Sequence, residues 1–421
     1  MFCIAPSFPT LLMLFTTPAL LFLISLFISR SSTAEDPQRK QRHLFRISVP
    51  DTARINPQGE EYVCTVQRLN LTTEKAIYLE EFVYSFANHG SAHHFLLYGC
   101  KSVGRYALEN QYWPCNARGK GNLCLERKHI PLGIPQQNSR RDPKFDEPAK
   151  FPENVAYGIG PRFEINYLML EVHFMAERKE GQFHMNGTDL ADEISDTPFV
   201  DQGRHDNLGL VAHGSTKRPK YLAGMMVMAG VGFKIPRGQK NFSVNINCQP
   251  DLSLPIFPYA YWVHTHELGK VVSGYKVNKT NGKFTEFARW IHHRPQPVIL
   301  DLELSKSVLA IHPGDYVASK CNYDSTTAKT DVHWGPRHKF DEMCNLFLFY
   351  FTLSTNPKDL SIPCVNEKSS EISKRFPADA STLPQQVDNS SILLKNQENI
   401  SANPICNLYR HYRIKNCPFT S

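Results

Sequence analysis

The two histidines of the motif Val263-His264-Thr265-His266 are the residues best suited, by type and spacing, to bind a metal ion. The motif lies in a run of strand-forming residues, and residues i and i+2 of a β-strand face the same side. The imidazoles of His264 and His266 are therefore presented to one point in space. Neutral imidazole suits copper, zinc and iron alike, and a surface or structural role is the alternative interpretation of so short a motif.

A second pair, His93 and His94, opens the apolar segment of residues 93–100. Neighbours on a regular strand point to opposite faces, so both imidazoles can reach one metal ion only where the backbone is bent or bulged. The sequence therefore predicts an irregular strand if these two residues act together. The alternative is that one histidine lies in the core and the other lies at the surface.

Two isolated residues, His173 and Met343, are further candidates. His173 ends an apolar segment, where a lone histidine is usually a hydrogen-bonded core residue. A methionine beside a strand, such as Met343, ordinarily packs, and a thioether ligand makes sense only for a soft ion such as Cu(I). The remaining histidines, His338 among them, have no comparable context, and we expect them to be surface or local-network residues.

These segments, taken in their order along the chain, resemble the copper type II, ascorbate-dependent monooxygenase family. The resemblance covers roughly residues 44 to 364, and three blocks carry it: residues 93–100, 264–275 and 341–346. The stretch Leu-Gly-Lys-Val-Val-Ser-Gly-Tyr after the second histidine pair is similar to the peptidylglycine α-hydroxylating branch of the family. It is less similar to the dopamine β-hydroxylating branch.

The resemblance implies two copper ions per chain, with ascorbate as the reductant and O₂ as the co-substrate. The first copper is expected to bind His93, His94 and His173. The second copper is expected to bind His264, His266 and Met343. These last three residues are also the implied catalytic residues, because the second copper is expected to meet O₂ beside the substrate.

The function implied by the resemblance is hydroxylation of the glycine α-carbon of C-terminally glycine-extended peptides, the first step of peptide amidation. A related hydroxylase that acts on an amine, such as a catecholamine precursor, is the alternative. A copper-binding relative without activity is a third possibility, against which the intact set of six ligands argues. Residues 365–421 are too few and too polar for a second catalytic domain, so a separate amidating lyase is expected to act on the product.

The sequence departs from the family pattern where the substrate carboxylate is expected to bind. The family places an arginine just before Val-His-Thr-His and a tyrosine two positions after the asparagine of Met-Cys-Asn. Here these positions are Trp262 and Phe347, and only Asn345 is retained. Either a lysine or arginine from another strand replaces the lost donors, or Trp262 and Phe347 form an apolar wall for a bulkier or less acidic substrate.

The cysteines and sequons indicate an oxidising, glycosylating compartment, and so the secretory pathway. The chain has 11 cysteines and lacks a C-x-x-C metal motif. The resemblance implies the disulfides Cys64 with Cys115, Cys100 with Cys124, Cys248 with Cys364, and Cys321 with Cys344. It leaves Cys406 and Cys417 to pair with each other. The N-x-S/T sequons lie at Asn70, Asn186, Asn241, Asn278, Asn389 and Asn399.

Residues 1–34 are typical of a signal peptide, with an apolar run at residues 11–28 and a small-residue cleavage pattern at residues 32–34. An uncleaved signal anchor is the alternative, because residues 1–10 carry no positive charge and the apolar run approaches the length of a membrane helix. We expect a secretory-granule or extracellular protein. The net charge of +7 is modest and scattered, which argues against a nucleic-acid partner.

Short apolar, β-branched and aromatic runs, separated by Pro, Gly, Asn and Asp clusters, must supply the scaffold for these residues. They predict an all-β fold of two antiparallel β-sandwich, jelly-roll-like domains with one copper site on each. A polar stretch at residues 186–220 separates the strand-rich halves. We therefore predict an N-terminal domain at 35–199, a C-terminal domain at 200–364 and a polar, disordered tail at 365–421.

Overall fold

The computed structural model describes residues 43–50, 53, 61–72, 75–85, 92–115, 124–131, 149–174, 208–290 and 297–382. Strands dominate these ranges and the helices are short, which confirms the all-β prediction. The predicted signal peptide lies outside the described residues. Among the residues that are described, no helix combines the length and the hydropathy needed to cross a membrane.

The described strands are mostly five to ten residues long. In chain order they are β1 (His43–Ser48), β2 (Glu61–Arg68), β3 (Ile77–Ser85), β4 (Ala92–Cys100), β5 (Ser102–Val103), β6 (Trp113–Pro114), β7 (Cys124–Leu125), β8 (Lys128–Ile130), β9 (Ala149–Lys150), β10 (Val155–Ile159), β11 (Tyr167–Phe174), β12 (Gly209–Ser215), β13 (Tyr221–Gly230), β14 (Lys234–Ile235), β15 (Phe242–Cys248), β16 (Ile256–His264), β17 (Gly269–Val277), β18 (Phe284–Trp290), β19 (Val298–Ile299), β20 (Tyr316–Tyr323), β21 (Val332–His333), β22 (Cys344–Thr352) and β23 (Ser361–Val365). The α-helices are α1 (Arg105–Glu109), α2 (Leu302–Lys306) and α3 (Ser370–Ser373), and the 3-10 helices are Pro161–Phe163 and Pro357–Leu360.

Three large sheets contain most of these strands. The ten-stranded sheet has the order β1-β12-β3-β10-β13-β22-β16-β19, with β9 added to β3 and β23 added to β13. The five-stranded sheet has the order β6-β2-β11-β4-β8. The four-stranded sheet has the order β15-β20-β17-β18. Most neighbouring strands pair in the antiparallel sense, as the sequence predicted.

The two halves of the chain meet within the ten-stranded sheet. β10 pairs in parallel with β13, so that Val155 lies opposite Tyr221 and Ala156 opposite Leu222. β12, which follows residue 200, pairs with β1 and β3 of the first half. Backbone hydrogen bonds therefore connect the halves directly. The division into domains at residues 199 and 200 stays a prediction.

β22, which carries Asn345 and Phe347, lies between two cores. Successive side chains of a strand point to opposite faces, so alternate residues of β22 enter different cores. Phe347 and Phe349 join the core that also contains Phe174 of the first half. Leu346 and Leu348 join a second core, built from the C-terminal half. β22 is therefore covered on both faces, and its position is fixed by packing from both sides.

All four disulfides implied for the described residues are present. They join Cys64 to Cys115, Cys100 to Cys124, Cys248 to Cys364, and Cys321 to Cys344. This confirms the pairing taken from the family resemblance. The bridge at Cys344 ties β20 to the start of β22, beside Met343. Cys406 and Cys417 lie outside the described residues.

The first part of the segment predicted as a disordered tail is folded. It contains helix α3, and Ile372 packs with Val277 and Ala318 in a small core, against which Phe376 also packs. Ala380 is fully buried, and its backbone oxygen accepts a hydrogen bond from the Ser273 hydroxyl at 2.9 Å. The prediction is therefore corrected for residues 365–382, because apolar side chains at four-residue intervals suffice to hold a polar segment. Residues 383–421 lie outside the described part.

Arg289 on β18 anchors this folded segment. Its guanidinium donates to the backbone oxygens of Asp379 and Thr382, the latter at 2.8 Å, and to the Tyr275 hydroxyl at 2.9 Å. It also donates to the carboxylate of Glu286, with Nε at 3.0 Å from each oxygen. The side chain is only 4% exposed, so the charge is stable there because all of these acceptors surround it.

We expect Arg289→Met to lower the free energy of unfolding by about 3 kcal/mol, because Glu286 is left with an uncompensated and largely buried charge. Urea denaturation of the full chain measures this loss. Lys374→Met is the control, since it breaks an exposed Lys374 to Glu371 pair and should cost less than about 1 kcal/mol. Equal denaturation midpoints for the two variants would show that Arg289 does not anchor the segment.

Candidate metal centres

The register of β16 and β22 brings three predicted ligands to one end of a strand pair. His264 is the last residue of β16 and lies opposite Asn345 on β22. Because the strands are antiparallel, the chain leaves β16 toward His266 at the point where it enters β22 from Met343. The structure therefore assembles His264, His266 and Met343 from segments almost 80 residues apart in the sequence.

The two imidazoles of this centre are held at a large angle to each other. The ring centroids of His264 and His266 are 5.2 Å apart with an interplanar angle of 81°. His266 is buried, and its Nδ1 lies 2.7 Å from the backbone oxygen of Asp341. A carbonyl oxygen can only accept, so Nδ1 carries the proton. The lone pair is then on Nε2, which is the atom available to a metal ion.

Met343 is held by contacts of its backbone, of the residue that follows it and of its sulfur. The Tyr323 hydroxyl donates to the backbone oxygen of Met343 at 2.7 Å, and the next residue, Cys344, is held by its disulfide. The side-chain amide of Asn345 donates to the Met343 sulfur at 3.5 Å. The thioether and the amide predicted to contact the substrate are therefore adjacent.

The buried carboxylate of Glu342 ties the two parts of this centre together. It accepts from the backbone N–H groups of His266 at 2.8 Å, Leu268 at 2.6 Å and Met343 at 3.2 Å. Burial raises the pKa of Glu342 to about 7, and the backbone hydrogen bonds oppose this increase. Sequence reasoning gave Glu342 no role of its own; its only signal was an acidic residue at the start of an apolar strand.

Asp341 completes the support beneath His266. The Arg337 guanidinium donates to both of its carboxylate oxygens, with Nε at 2.9 Å and Nη2 at 2.8 Å. The hydrogen bond from Arg337 lowers the pKa of Asp341, so this carboxylate stays ionised. The pair fixes the turn whose backbone oxygen orients the His266 ring.

The first centre shows the irregular strand that its adjacent histidines require. His173 on β11 lies opposite His94 on β4, but the next pair is Phe174 with Ala92, which leaves His93 as an extra residue in a β-bulge. The side chains of His93 and His94 lie outside the described part, and their ligand role stays a prediction. His173 is buried, and its ring stacks on Tyr62 at 4.1 Å and 5°.

The positions expected to bind the substrate form a stacked aromatic pair beside His264, in which Phe347 is buried and Trp262 is half-buried. The Trp262 and Phe347 rings stack with centroids 5.1 Å apart at 26°. Trp262 also lies 5.6 Å from the His264 ring. The register that places Trp262 opposite Phe347 and His264 opposite Asn345 thus puts predicted ligand and substrate residues on the same face.

His338 is a neighbour of the second centre that sequence reasoning missed. Its ring centroid lies 4.8 Å from that of His266, at an angle of 35°. It was expected to be a surface or local-network residue. No local pattern marks it, because the contact depends on the path of the loop between β21 and β22.

The donor sets fit copper. Two imidazoles and a thioether suit a soft ion such as Cu(I), and three imidazoles suit an ion that changes oxidation state. A group formed by Cys64, Cys115 and Glu171 is also close enough for a metal ion, but its two cysteines are joined in a disulfide and cannot serve as thiolates.

Two family models match the chain. "Copper type II ascorbate-dependent monooxygenase, N-terminal domain" matches residues 45–181, and "Copper type II ascorbate-dependent monooxygenase, C-terminal domain" matches residues 221–377. The first match contains the His93, His94 and His173 segments. The second contains those of His264, His266 and Met343.

Curated relatives are similar to this chain at a low level of identity. Peptidyl-glycine alpha-amidating monooxygenase B of Xenopus laevis is 28% identical over 297 residues, covering 70% of this chain and 28% of that protein. Peptidylglycine alpha-amidating monooxygenase of Rattus norvegicus is 26% identical over 329 residues, covering 77% and 28%. Dopamine beta-hydroxylase of Homo sapiens is 25% identical over 210 residues, covering 48% and 30%. The chain thus spans less than a third of the length of each of these relatives.

We expect Glu342→Gln to remove part of the pH dependence of stability of the copper-free protein. The folded-state pKa of Glu342, about 7, exceeds its ordinary value of 4.5, so between these pH values the folded state keeps a proton that the unfolded chain has released. Stability from this group is full below pH 4.5 and is lost as the pH rises to 7, by up to about 3 kcal/mol.

Urea denaturation at intervals from pH 4 to pH 8 gives the free energy of unfolding of wild type and variant. The difference between the two free energies should fall as the pH rises from 4.5 to 7. Glu267→Gln is the matched control, because it makes the same side-chain change at an exposed position beside His266. If the difference in unfolding free energy between wild type and Glu342→Gln did not change with pH, the three backbone donors would be keeping Glu342 ionised over this whole range.

Proposed function

Because the chain belongs to the copper type II ascorbate-dependent monooxygenase family, we propose that it hydroxylates the glycine α-carbon of C-terminally glycine-extended peptides. The family is defined by copper and ascorbate, and O₂ is the co-substrate of its oxidoreductases. The proposal is supported by the end of β16 at His264, opposite Asn345, and by the shared hydrogen bonds of the His266 and Met343 backbones to Glu342. The similarity to proteins named peptidylglycine amidating monooxygenases supports this substrate class.

The residues of the second centre have three roles, which are metal ligation, orientation of a ligand and substrate binding. His266 presents Nε2 because Asp341 holds its Nδ1 proton, and Met343 adds a soft donor. Copper held by these ligands would supply one-electron chemistry and the activation of O₂. Asn345, whose amide lies beside the Met343 sulfur, is placed to donate to a substrate group at the same point.

We assign His93, His94 and His173 to the first copper, which would supply the other electron. The bulge at His93 supports this assignment, since it frees one residue of the pair from the alternation that would otherwise turn it away. Each half of the chain then carries one copper, as the domain prediction requires. Buried His173 is stacked on Tyr62 and cannot easily turn, which suits a ligand that must keep its position.

The setting proposed for this reaction is the secretory pathway, in a granule or outside the cell. Four disulfides support an oxidising compartment, and the sequon residues Asn70 and Asn241 are exposed, as glycosylation requires. A separate amidating lyase would convert the hydroxylated product to a peptide amide.

An amine hydroxylase is the second candidate function, and one observation favours it. The stacked Trp262 and Phe347 rings stand where a carboxylate anchor is expected, and an apolar pair there suits an aromatic or less acidic substrate. The more distant similarity to dopamine beta-hydroxylase agrees with the shared chemistry.

We expect the purified protein to bind two coppers per chain and Met343→Ile to abolish turnover with the fold intact. Isoleucine keeps most of the bulk but removes the soft donor. Metal analysis and ascorbate-driven O₂ uptake measure the two effects. Met225→Ile, which changes a buried methionine on β13 that is paired with no predicted ligand, serves as the control for packing damage. One copper per wild-type chain, or an active Met343 variant, contradicts the ligand assignment.

We expect turnover of a peptide ending in free glycine to improve in Trp262→Arg/Phe347→Tyr, with a KM lower by about tenfold. The guanidinium restores a charge-assisted contact that is worth about 1.5 to 3 kcal/mol. The glycine-amide analogue is the control substrate, and its KM should not decrease. A phenethylamine distinguishes the amine hydroxylase. If wild type already strongly prefers the free acid and the double variant gains nothing, another cation holds the carboxylate.

A further inference from the structure

The segment between β21 and β22, residues 334–342, forms a closed loop that we call the bridging loop. Its neck is closed by backbone hydrogen bonds from Gly335 to Glu342 at 3.1 Å and from Glu342 to His333 at 2.9 Å. The carboxylate of Asp341 lies inside it and accepts from the backbone and side chain of Arg337. The loop is therefore held in one conformation by its own hydrogen bonds.

The bridging loop contacts the second centre through three of its residues. The His338 ring lies 4.8 Å from the His266 ring. Asp341 accepts from His266 Nδ1 at 2.7 Å, and Glu342 accepts from the His266 backbone N–H at 2.8 Å. The orientation of the His266 imidazole and the position of the loop are thus set together.

The same loop also contacts the first centre, through Tyr62 on β2. The Tyr62 hydroxyl donates to the backbone oxygen of Pro336 at 3.4 Å, and the Tyr62 ring is stacked on the His173 ring at 4.1 Å. Tyr62 and His173 are direct cross-strand neighbours in the pairing of β2 with β11. Contacts therefore connect one predicted centre to the other. They lead from His173 to Tyr62, from Tyr62 to the bridging loop, and from the loop to His266.

We propose that Tyr62 and His338 are positioning residues that couple the two centres, so that copper binding at one strengthens copper binding at the other. The proposal rests on the ligand sets of the proposed function. A metal ion fixes the ring it binds, and each of these rings contacts the bridging loop or the tyrosine that holds it. Fixing one ring thus lowers the cost of fixing the other, and the effect is reciprocal.

The coupling belongs to these contacts rather than to the sheet that also joins the halves. That sheet connects them through the pairing of β10 with β13 and of β12 with β1 and β3, and none of the paired residues is a predicted ligand. The Tyr62 hydroxyl can be removed without removing the stacked ring. Tyr62→Phe therefore removes the hydrogen bond to Pro336 and keeps the ring that stacks on His173.

The experiment measures the Cu(I) affinity of the second centre in the full chain, by anaerobic competition with a chelator. The sulfur contribution in copper X-ray absorption identifies that centre, because only its predicted ligand set contains a thioether. We expect His173→Ala, which impairs the first centre, to weaken Cu(I) binding at the second by about fivefold or more. In the background of Tyr62→Phe or of His338→Leu, His173→Ala should have no such effect.

Matched controls exclude a general loss of packing. Tyr167→Phe changes a half-buried tyrosine on β11, and His312→Leu changes an exposed histidine in the C-terminal half. In both backgrounds, His173→Ala should still weaken Cu(I) binding at the second centre by about fivefold. Tyr62→Phe and His338→Leu should also keep the wild-type denaturation midpoint within the scatter of the controls.

Each outcome decides the proposal. An unchanged response to His173→Ala in Tyr62→Phe and His338→Leu overturns it, as does a wild type whose centres fill independently. Independent filling leaves the proposed function standing, since two uncoupled coppers can still support hydroxylation. A wild type with no sulfur-ligated copper overturns the coupling and the proposed function together.

Discussion

The antiparallel register of β16 and β22 is the constraint on which the candidate site depends. It sets His264 opposite Asn345 and Trp262 opposite Phe347. A slip of one residue would turn every side chain of one strand to the other face and would separate the ligands from the substrate surface. Packing on both faces of β22 and the disulfide at Cys344 oppose such a slip. The interactions that stabilise this strand pair therefore also set the geometry of the site.

The features that follow local periodicity could be predicted from the sequence. The i, i+2 spacing of His264 and His266 is a property of any strand, and the adjacency of His93 and His94 required the bulge that β4 shows. The disulfides required the family resemblance as well, because cysteine spacing alone leaves the pairing open. The all-β class followed from short apolar runs between turn residues.

The remaining features depend on tertiary contacts that leave no local pattern. Glu342 acts through three backbone N–H groups, and His338 acts through a loop whose path the sequence does not reveal. Composition also misrepresents residues 365–382, because it averages Ile372 with its polar neighbours. A buried guanidinium, that of Arg289, holds this segment from another strand. Such interactions are determined by the assembled fold and not by any window of residues.

The parallel pairing of β10 with β13 also governs the order in which the protein can mature during synthesis. β10 is complete at Ile159, but its partner begins only at Tyr221, and β1 likewise waits for β12. Until those later strands leave the ribosome, the growing chain carries unpaired strand edges, which are the surfaces through which nascent chains aggregate. The first half therefore cannot complete its part of the ten-stranded sheet before β12 and β13 have been made. Slow or interrupted translation between residues 159 and 221 would leave these edges open for longest.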